Sequence, residues 1–140
     1  MPAERTKNGR AHQIPLPPMS KAIIAALPKL NETFAFPARG NDEQTFSGFS
    51  KMKRRLDELS GVTGWTLHDL RRTTATKLAG LGVAPHVVEK LLNHTTGTLG
   101  GVAGIYNRFQ YVAEMREALA RWEMHIVTLT AIRAPTLAEA

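Results

Sequence analysis

The segment "WTLHDLRRTTATKLAGLGV", residues 65–83, places a histidine and an arginine three positions apart on a predicted helix. At that spacing His68 and Arg71 share one helix face, so both side chains can reach one anion. A guanidinium can bind two phosphate oxygens at once, and the first turn of a helix adds the positive end of its dipole. The pair therefore predicts a phosphate contact, although a capped and solvated helix end would also account for these residues.

Two more polar candidates follow this helix in the sequence. The segment "LLNH" ends a second predicted helix at His94, "TTGTLGG" reads as a flexible link, and "GIYNRF" contains Tyr106. A tyrosine behind a glycine-rich link could be delivered to a target or withdrawn from it. The other tyrosine, Tyr111, begins the last predicted helix, which favours packing or a phosphate contact for that side chain.

Other kinds of active site lack support in the sequence. The chain has no cysteine, and its five histidines do not show zinc-type pairing. No glycine loop ends in Lys-Ser or Lys-Thr, and there is no G-x-S-x-G motif. We therefore expect no metal, no cofactor and no small-molecule substrate.

The positive charge is concentrated in the first part of the chain. Residues 1–77 carry a net charge of +6, and residues 78–140 carry none. A basic face of this kind favours a polyanion, with nucleic acid as the leading candidate, while solubility alone is an equally simple explanation. The residues expected to contact DNA are Arg5, Arg10, Lys51, Lys53, Arg54, Arg55, Arg72 and Arg108.

The elements that must position these groups predict an α+β fold that is mostly α-helical. A turn at Lys7 and Asn8 followed by "HQIPLP" predicts an N-terminal β-hairpin. About five or six helices are expected after it. The predicted helices cover residues 18–30, 47–62, 67–81, 85–94 and 111–129, and Thr66 is the expected N-cap of the third. Helical character also resumes at 102–109. Residues 33–46 are expected to form a loop with at most a short strand at 33–36.

The last predicted helix has an apolar stripe that must be covered. Its members recur in steps of three and four, namely Val112, Met115, Leu119, Trp122, Ile126 and Leu129. The cover could be the core of the same chain or another protomer, because sequence does not separate the two. The chain is expected to form one domain over residues 1–130, followed by a disordered tail at 131–140. The protein is expected to lack a membrane span and to be located in the cytoplasm.

The stretch "LHDLRRTTATKLAGLGVAPHVVEKLLNHTTGTLGGVAGIYNRFQYVAEMREALARW" closely resembles the C-terminal catalytic part of tyrosine recombinases, in particular phage-type integrases. That family has a His-x-x-Arg motif on a buried helix, then Leu-x-His, then a nucleophilic tyrosine and a terminal helix. The segment "ERTKNGRAHQIPLPP" resembles the family's lysine-bearing β-hairpin. The likeness covers about residues 3–125 and implies a bacterial or phage-encoded protein with part of the recombinase catalytic fold.

The resemblance implies a role for each matching residue. Lys7 would protonate the leaving 5′ oxygen, and His68 and Arg71 would contact the scissile phosphate. His94 would donate a hydrogen bond to a non-bridging oxygen, and Tyr106 would attack phosphorus to form a 3′-phosphotyrosine link. Other protomers of the same recombinase would dock through the C-terminal helix, residues 111–129.

The family also uses an arginine upstream of the lysine hairpin, for which Arg5 and Arg10 lie too close to Lys7. The chain is therefore expected to be a fragment of a DNA-recombining enzyme. Whether this fragment is active by itself is expected to depend on that arginine. Two alternatives stay open. One is a non-catalytic DNA-binding or regulatory fragment, and the other is relaxation of DNA in the manner of a type IB topoisomerase.

Overall fold

The computed structural model describes residues 1–94 and 109–133, with the side chains of Asp42, Ile132 and Arg133 left aside. The chain forms two compact units. One unit comprises residues 18–72, and the other comprises residues 1–17 together with the chain from Thr73 onward. The border between them falls inside a helix.

Helices dominate the described residues, which confirms the predicted α+β, mostly α-helical class. A single antiparallel strand pair supplies the β structure. The helices are α1 (Pro18–Ala25), α2 (Phe49–Ser60), α3 (Leu67–Gly80), α4 (Pro85–Leu91) and α5 (Val112–Arg133), and the strands are β1 (Pro37–Ala38) and β2 (Asn41–Thr45).

The N-terminal β-hairpin predicted from residues 3–18 does not form as paired strands. A 3-10 turn occupies Ala3–Arg5, and the chain reverses through Gly9, whose φ of 64° lies in the left-handed region. Met1 and His12 exchange backbone hydrogen bonds across the reversal, at 2.7 and 2.9 Å, and the N–H of Gly9 donates to the carbonyl of Thr6 within it at 3.2 Å. The chain thus turns where predicted, but Pro15, Pro17 and Pro18 lack the backbone N–H that a strand ladder needs.

The strand pair lies instead at residues 37–45, inside the predicted loop and after the predicted strand at 33–36. Pro37 pairs with Thr45 and Ala38 with Asn41, around a turn in which Gly40 has a φ of 75°. The sequence "NDEQT" of β2 is polar throughout and shows no alternation. The residues of β2 therefore lack the apolar alternation that predicts a strand from sequence.

The helices lie close to their predicted positions, and their ends have local causes. The largest difference is at α1, which was predicted to reach residue 30 but ends at Ala25. Pro28 follows three residues later, and proline cannot continue a helix. α2 ends where Gly61 adopts a left-handed conformation with a φ of 67°. The predicted helical segment at 102–109 lies almost entirely outside the described residues.

The buried core lies in the unit that contains α4 and α5. Leu78 at the end of α3 is fully buried, and α4 packs against α5 beside it. Arg121 of α5 donates a hydrogen bond to the carbonyl of Leu81 at 3.1 Å and so ties α5 to the end of α3. The buried residues are Leu78, Val83, Val87, Val88, Leu91, Met115 and Ala118.

Among the described residues, contacts with the buried core cover the first half of the apolar stripe of α5. Met115 is buried, and Val112, Leu119 and Trp122 pack against the core, whereas Leu129 is half exposed. The helix runs to Arg133, and residues 134–140 of the predicted tail lie outside the described part of the chain. Among the described residues, no helix combines the length and apolar character that a membrane span requires.

Candidate functional site

The first turn of α3 is fixed by a reciprocal cap. The backbone N–H and the hydroxyl of Thr66 both donate to Asp69 Oδ2 at 2.8 Å, and the N–H of Asp69 donates to the carbonyl of Thr66 at 2.9 Å. The hydrogen bond from the Thr66 N–H to the Asp69 carboxylate is one half of a capping box, with aspartate in the usual place of glutamate. The Thr66 hydroxyl donates to the same carboxylate instead of accepting from a backbone N–H. The hydrogen bonds from the Thr66 hydroxyl and N–H, helped by the charge of Arg72, hold the pKa of Asp69 below its ordinary value of 3.8.

The cap places His68 and Arg71 on a well-defined helical turn. His68 is exposed and Arg71 is half-buried, and their spacing puts them on the same helix face. Arg72, the neighbouring arginine, pairs with Asp69 at 3.2 Å and points its side chain to solvent, with 73% of it exposed. The turn therefore places His68 and Arg71 on one helix face, and their contact with an anion stays a prediction.

The end of α4 determines where His94 lies. The N–H of His94 donates to the carbonyl of Glu89 at 2.9 Å, and the N–H of Asn93 donates to that of Lys90 at 3.1 Å. This pattern is a Schellman motif, in which Asn93 occupies the left-handed position with a φ of 54°. The motif satisfies the last carbonyls of the helix and leaves the His94 side chain exposed just beyond it.

Residues 6–10, here called the Lys7 loop, are tied to that helix end. The side-chain amide of Asn8 donates to Asn93 Oδ1 at 3.0 Å and approaches the Asn93 carbonyl at 3.4 Å. His12 Nε2 lies 3.3 Å from the carbonyl of Leu91, which adds a second tie. Lys7, whose side chain is exposed, therefore sits next in sequence to a residue that contacts the neighbour of His94.

The predicted catalytic residues thus fall into two groups. The Lys7 loop and His94 are brought together in one compact unit, and His68 and Arg71 belong to the other. Tyr106, the predicted nucleophile, lies outside the described residues.

Tyr111, for which the sequence favours packing or a phosphate contact, lies against two aromatic rings. Its ring centroid lies 4.7 Å from that of His86 in α4 and 4.9 Å from that of Phe109. Its carbonyl accepts a hydrogen bond from the N–H of Met115 at 2.9 Å, so Tyr111 also begins α5. Its φ of 54° shows that the chain turns sharply at this residue.

Most of the residues predicted to contact DNA present their charged groups to solvent. Arg55 forms an exposed pair with Glu58 at 3.2 Å. Lys53 differs, because its ammonium lies 2.5 Å from Asp57 Oδ2 and only 18% of its side chain is exposed. Arg108 lies outside the described residues, and the exposed members are Arg5, Arg10, Lys51, Arg54, Arg55 and Arg72.

Two features of the site escaped sequence reasoning. The Asn8 to Asn93 contact joins residues 85 positions apart, which no local pattern indicates. The stacking of Lys53 on Trp65 joins a helix face to a loop. The sequence signals that could have indicated these contacts are Asn8 next to Lys7, Asn93 next to His94, and Trp65 just before α3. Within the described ranges, no group of three or more histidine, aspartate or glutamate residues could hold a metal ion.

Comparison with known proteins agrees with this arrangement of motifs. Residues 2–111 match the phage integrase family, which is most of the chain. The chain belongs to the phage integrase family of tyrosine recombinases. The resemblance read from the His-x-x-Arg, Leu-x-His and tyrosine segments is thereby confirmed at the level of the family.

One curated relative is the "Prophage integrase IntA" of Escherichia coli (strain K12), which is 30% identical to the chain over 125 residues. The aligned region covers 87% of this chain but 29% of the relative. The chain therefore spans less than a third of the length of the relative that it matches. No solved structure matches the chain.

Proposed function

We propose that the chain is part of a site-specific recombinase that breaks and rejoins double-stranded DNA through a 3′-phosphotyrosine intermediate. Membership of the phage integrase family supports the class of reaction. The observation that carries the proposal within the molecule is the tie between Asn8 and Asn93, which brings the lysine loop to the helix end that precedes His94. These two segments are far apart in sequence, and a shared site would account for their contact.

The proposed chemistry assigns one step to each group. The phenolate oxygen of Tyr106 bonds to phosphorus as the bond from phosphorus to the 5′ oxygen breaks, and Lys7 supplies the proton that this oxygen needs. His68, Arg71 and His94 would donate hydrogen bonds to the non-bridging oxygens, on which negative charge accumulates. The covalent link conserves the phosphodiester energy, so a 5′ hydroxyl can later reverse the step without a nucleotide.

The exposed cations would bind the DNA backbone on either side of the reacting phosphate. Lys51 and Arg54 on α2 and Arg5 and Arg10 beside Lys7 are exposed, as contact with a polyanion requires. Arg72 belongs to the same proposal, because its exposed guanidinium lies one residue from Arg71. Docking of other protomers through α5 is part of the proposal too, and the half-exposed Leu129 would belong to that interface.

Covalent trapping tests the nucleophile directly. The chain would be incubated with nicked suicide DNA that carries a candidate recombination site, and protein–DNA adducts that resist denaturant would be separated on a gel. We expect an adduct that Tyr106→Phe abolishes. The matched control is Tyr111→Phe, because the chain has two tyrosines and Tyr111 packs on His86, so this variant should still form the adduct.

Other outcomes separate the alternatives. An adduct only from a longer form that supplies an upstream arginine would place the chain as an incomplete catalytic unit. Salt-sensitive DNA affinity without an adduct from either form would favour a binding or regulatory fragment. Relaxation of supercoiled DNA without exchange of partners would favour topoisomerase activity. An adduct that Tyr111→Phe abolishes and Tyr106→Phe does not would overturn the assignment of the nucleophile.

A further inference from the structure

Lys53 is held differently from the other basic residues of α2. Its ammonium lies 2.5 Å from Asp57 Oδ2, one turn further along the helix, and 4.5 Å from the centroid of the Trp65 ring. Only 18% of its side chain is exposed, compared with 67% for Arg55. The charge of Lys53 is therefore already neutralised and covered from two sides.

Moving Lys53 to a DNA phosphate would leave Asp57 without its cation. Asp57 Oδ1 is buried and has no hydrogen-bond partner among the described residues, so the contact of Oδ2 with Lys53 is what compensates this carboxylate. A half-buried carboxylate that loses its one cation is destabilised strongly. The cation–π contact with the indole would be lost as well. Both effects keep the ammonium where it is.

The indole that Lys53 covers belongs to the segment between α2 and α3. Trp65 donates from Nε1 to the carbonyl of Val62 at 3.1 Å, which closes the segment on itself. The next residue, Thr66, forms the cap of α3 with Asp69. Holding the Trp65 ring on α2 therefore fixes the direction in which α3 begins.

We propose that Lys53 is a positioning residue rather than a DNA ligand: with Asp57 and Trp65 it anchors the start of α3 on α2 and thereby orients His68 and Arg71. This inference rests on the proposed function for the role of His68 and Arg71. It deepens that function by giving Lys53 a different role from the exposed cations of α2, which would contact DNA. The anchor is formed within the unit of residues 18–72, which contains all five residues.

The salt dependence of DNA affinity distinguishes a positioning residue from a phosphate ligand. The variant Lys53→Met keeps the apolar stem and removes the charge, and Lys51→Met is the matched control on an exposed position of the same helix. For Lys51→Met the slope of log affinity against log salt should decrease by about one. For Lys53→Met affinity at low salt should fall about tenfold because the contact of Arg71 is weakened. In an Arg71→Ala background Lys53→Met should leave the slope unchanged, whereas Lys51→Met should still lower it by about one.

Two further variants test whether Lys53 acts through α3. Lys53→Arg keeps a cation for both Asp57 and the indole, so it should restore affinity to within about twofold of the original chain. The double variant Lys53→Met/Arg71→Ala should bind no more weakly than Arg71→Ala, because two residues that act as one unit are not additive. In the Arg71→Ala background, a slope that decreases for Lys53→Met as it does for Lys51→Met would overturn the proposal, and so would full additivity with Arg71→Ala.

The anchor can be tested without DNA, so its failure is distinguishable from failure of the proposed function. The chain has two tryptophans, and the indole N–H of Trp65 gives one of two well-separated NMR signals. Lys53→Met should shift that signal and lower the heteronuclear NOE of amides 62–69, and Lys51→Met should do neither. Trp65→Leu should lower the same NOE values. Unchanged amides in both Lys53→Met and Trp65→Leu would overturn the anchor even in a chain that binds DNA.

Discussion

The two compact units are stabilised in different ways. In the unit of α4 and α5, seven apolar residues, Leu78 among them, form a buried cluster. In residues 18–72, no side chain that the structure describes is buried, and the apolar positions of α2 such as Leu56 and Leu59 remain 42% and 68% exposed. There the order comes from contacts between close neighbours, namely the Thr66 cap and the Lys53 anchor.

This difference between a buried apolar core and local polar contacts shows which chemical groups stabilise each unit. Apolar burial stabilises in proportion to area and requires several elements to meet, whereas a cap or an ion pair needs only one helix and its adjoining segment. His68 and Arg71 are therefore held by local polar contacts. The Lys7 loop and His94 are held beside a packed core, through Asn8 and Asn93.

The sharpest test of the comparison truncates one leucine in each unit. Leu78→Ala removes a fully buried side chain, so the free energy of unfolding should fall by about 3 kcal/mol. Leu56→Ala is the matched control, because the same atoms are removed from a side chain that is 42% exposed, and it should cost less than about 1 kcal/mol. Urea unfolding followed by circular dichroism measures both. Equal losses would contradict the contrast between the units.

A smaller effect is expected at Asn93, where backbone and side chain contribute separately. Asn93→Ala should lower the free energy of unfolding by about 2 kcal/mol, with about half from placing alanine at a φ of 54° and half from losing the acceptor of Asn8. Asn93→Gly loses only the acceptor and should cost about 1 kcal/mol or less. The difference between the two variants in urea unfolding isolates the backbone term, and the absence of any difference would exclude it.

The smallest effect concerns pH and the cap of α3. Because the pKa of Asp69 is lowered below 3.8 in the folded chain, its stabilising contribution is fully present above that value and is lost as pH falls through the folded pKa. The stability difference between the original chain and Asp69→Asn should therefore shrink as the pH is lowered from about 5 to about 3. Unfolding curves recorded across this range measure the difference.

Thr66→Ala is the control for the pH experiment. It removes the hydroxyl that is the largest cause of the lowered pKa and retains the backbone hydrogen bond from residue 66 to Asp69. Its pH dependence should lie between those of the original chain and Asp69→Asn. A stability difference that is independent of pH would show that the charge of Asp69 does not contribute through the cap.

Much of the helical structure follows from local sequence signals. Thr66 predicts the start of α3, because capping depends on a few neighbouring residues, whereas α1 ends five residues before the predicted boundary at residue 30. The order of His68, Arg71, His94 and Tyr106 along the chain predicts the family, which comparison confirms. The roles of these residues stay predictions.

The strands show where local signals fail. The N-terminal segment has a turn signal but no ladder, and β2 has a ladder but no apolar alternation, so strand pairing here depends on which segment finds a partner. Sequence by itself determined the class of fold, the helices and the motif residues, because these depend on neighbours along the chain. Tertiary structure decided that Asn8 meets Asn93, that Lys53 is withdrawn from solvent onto Trp65, and that the core covers the first half of the α5 stripe, because each depends on residues that only folding brings together.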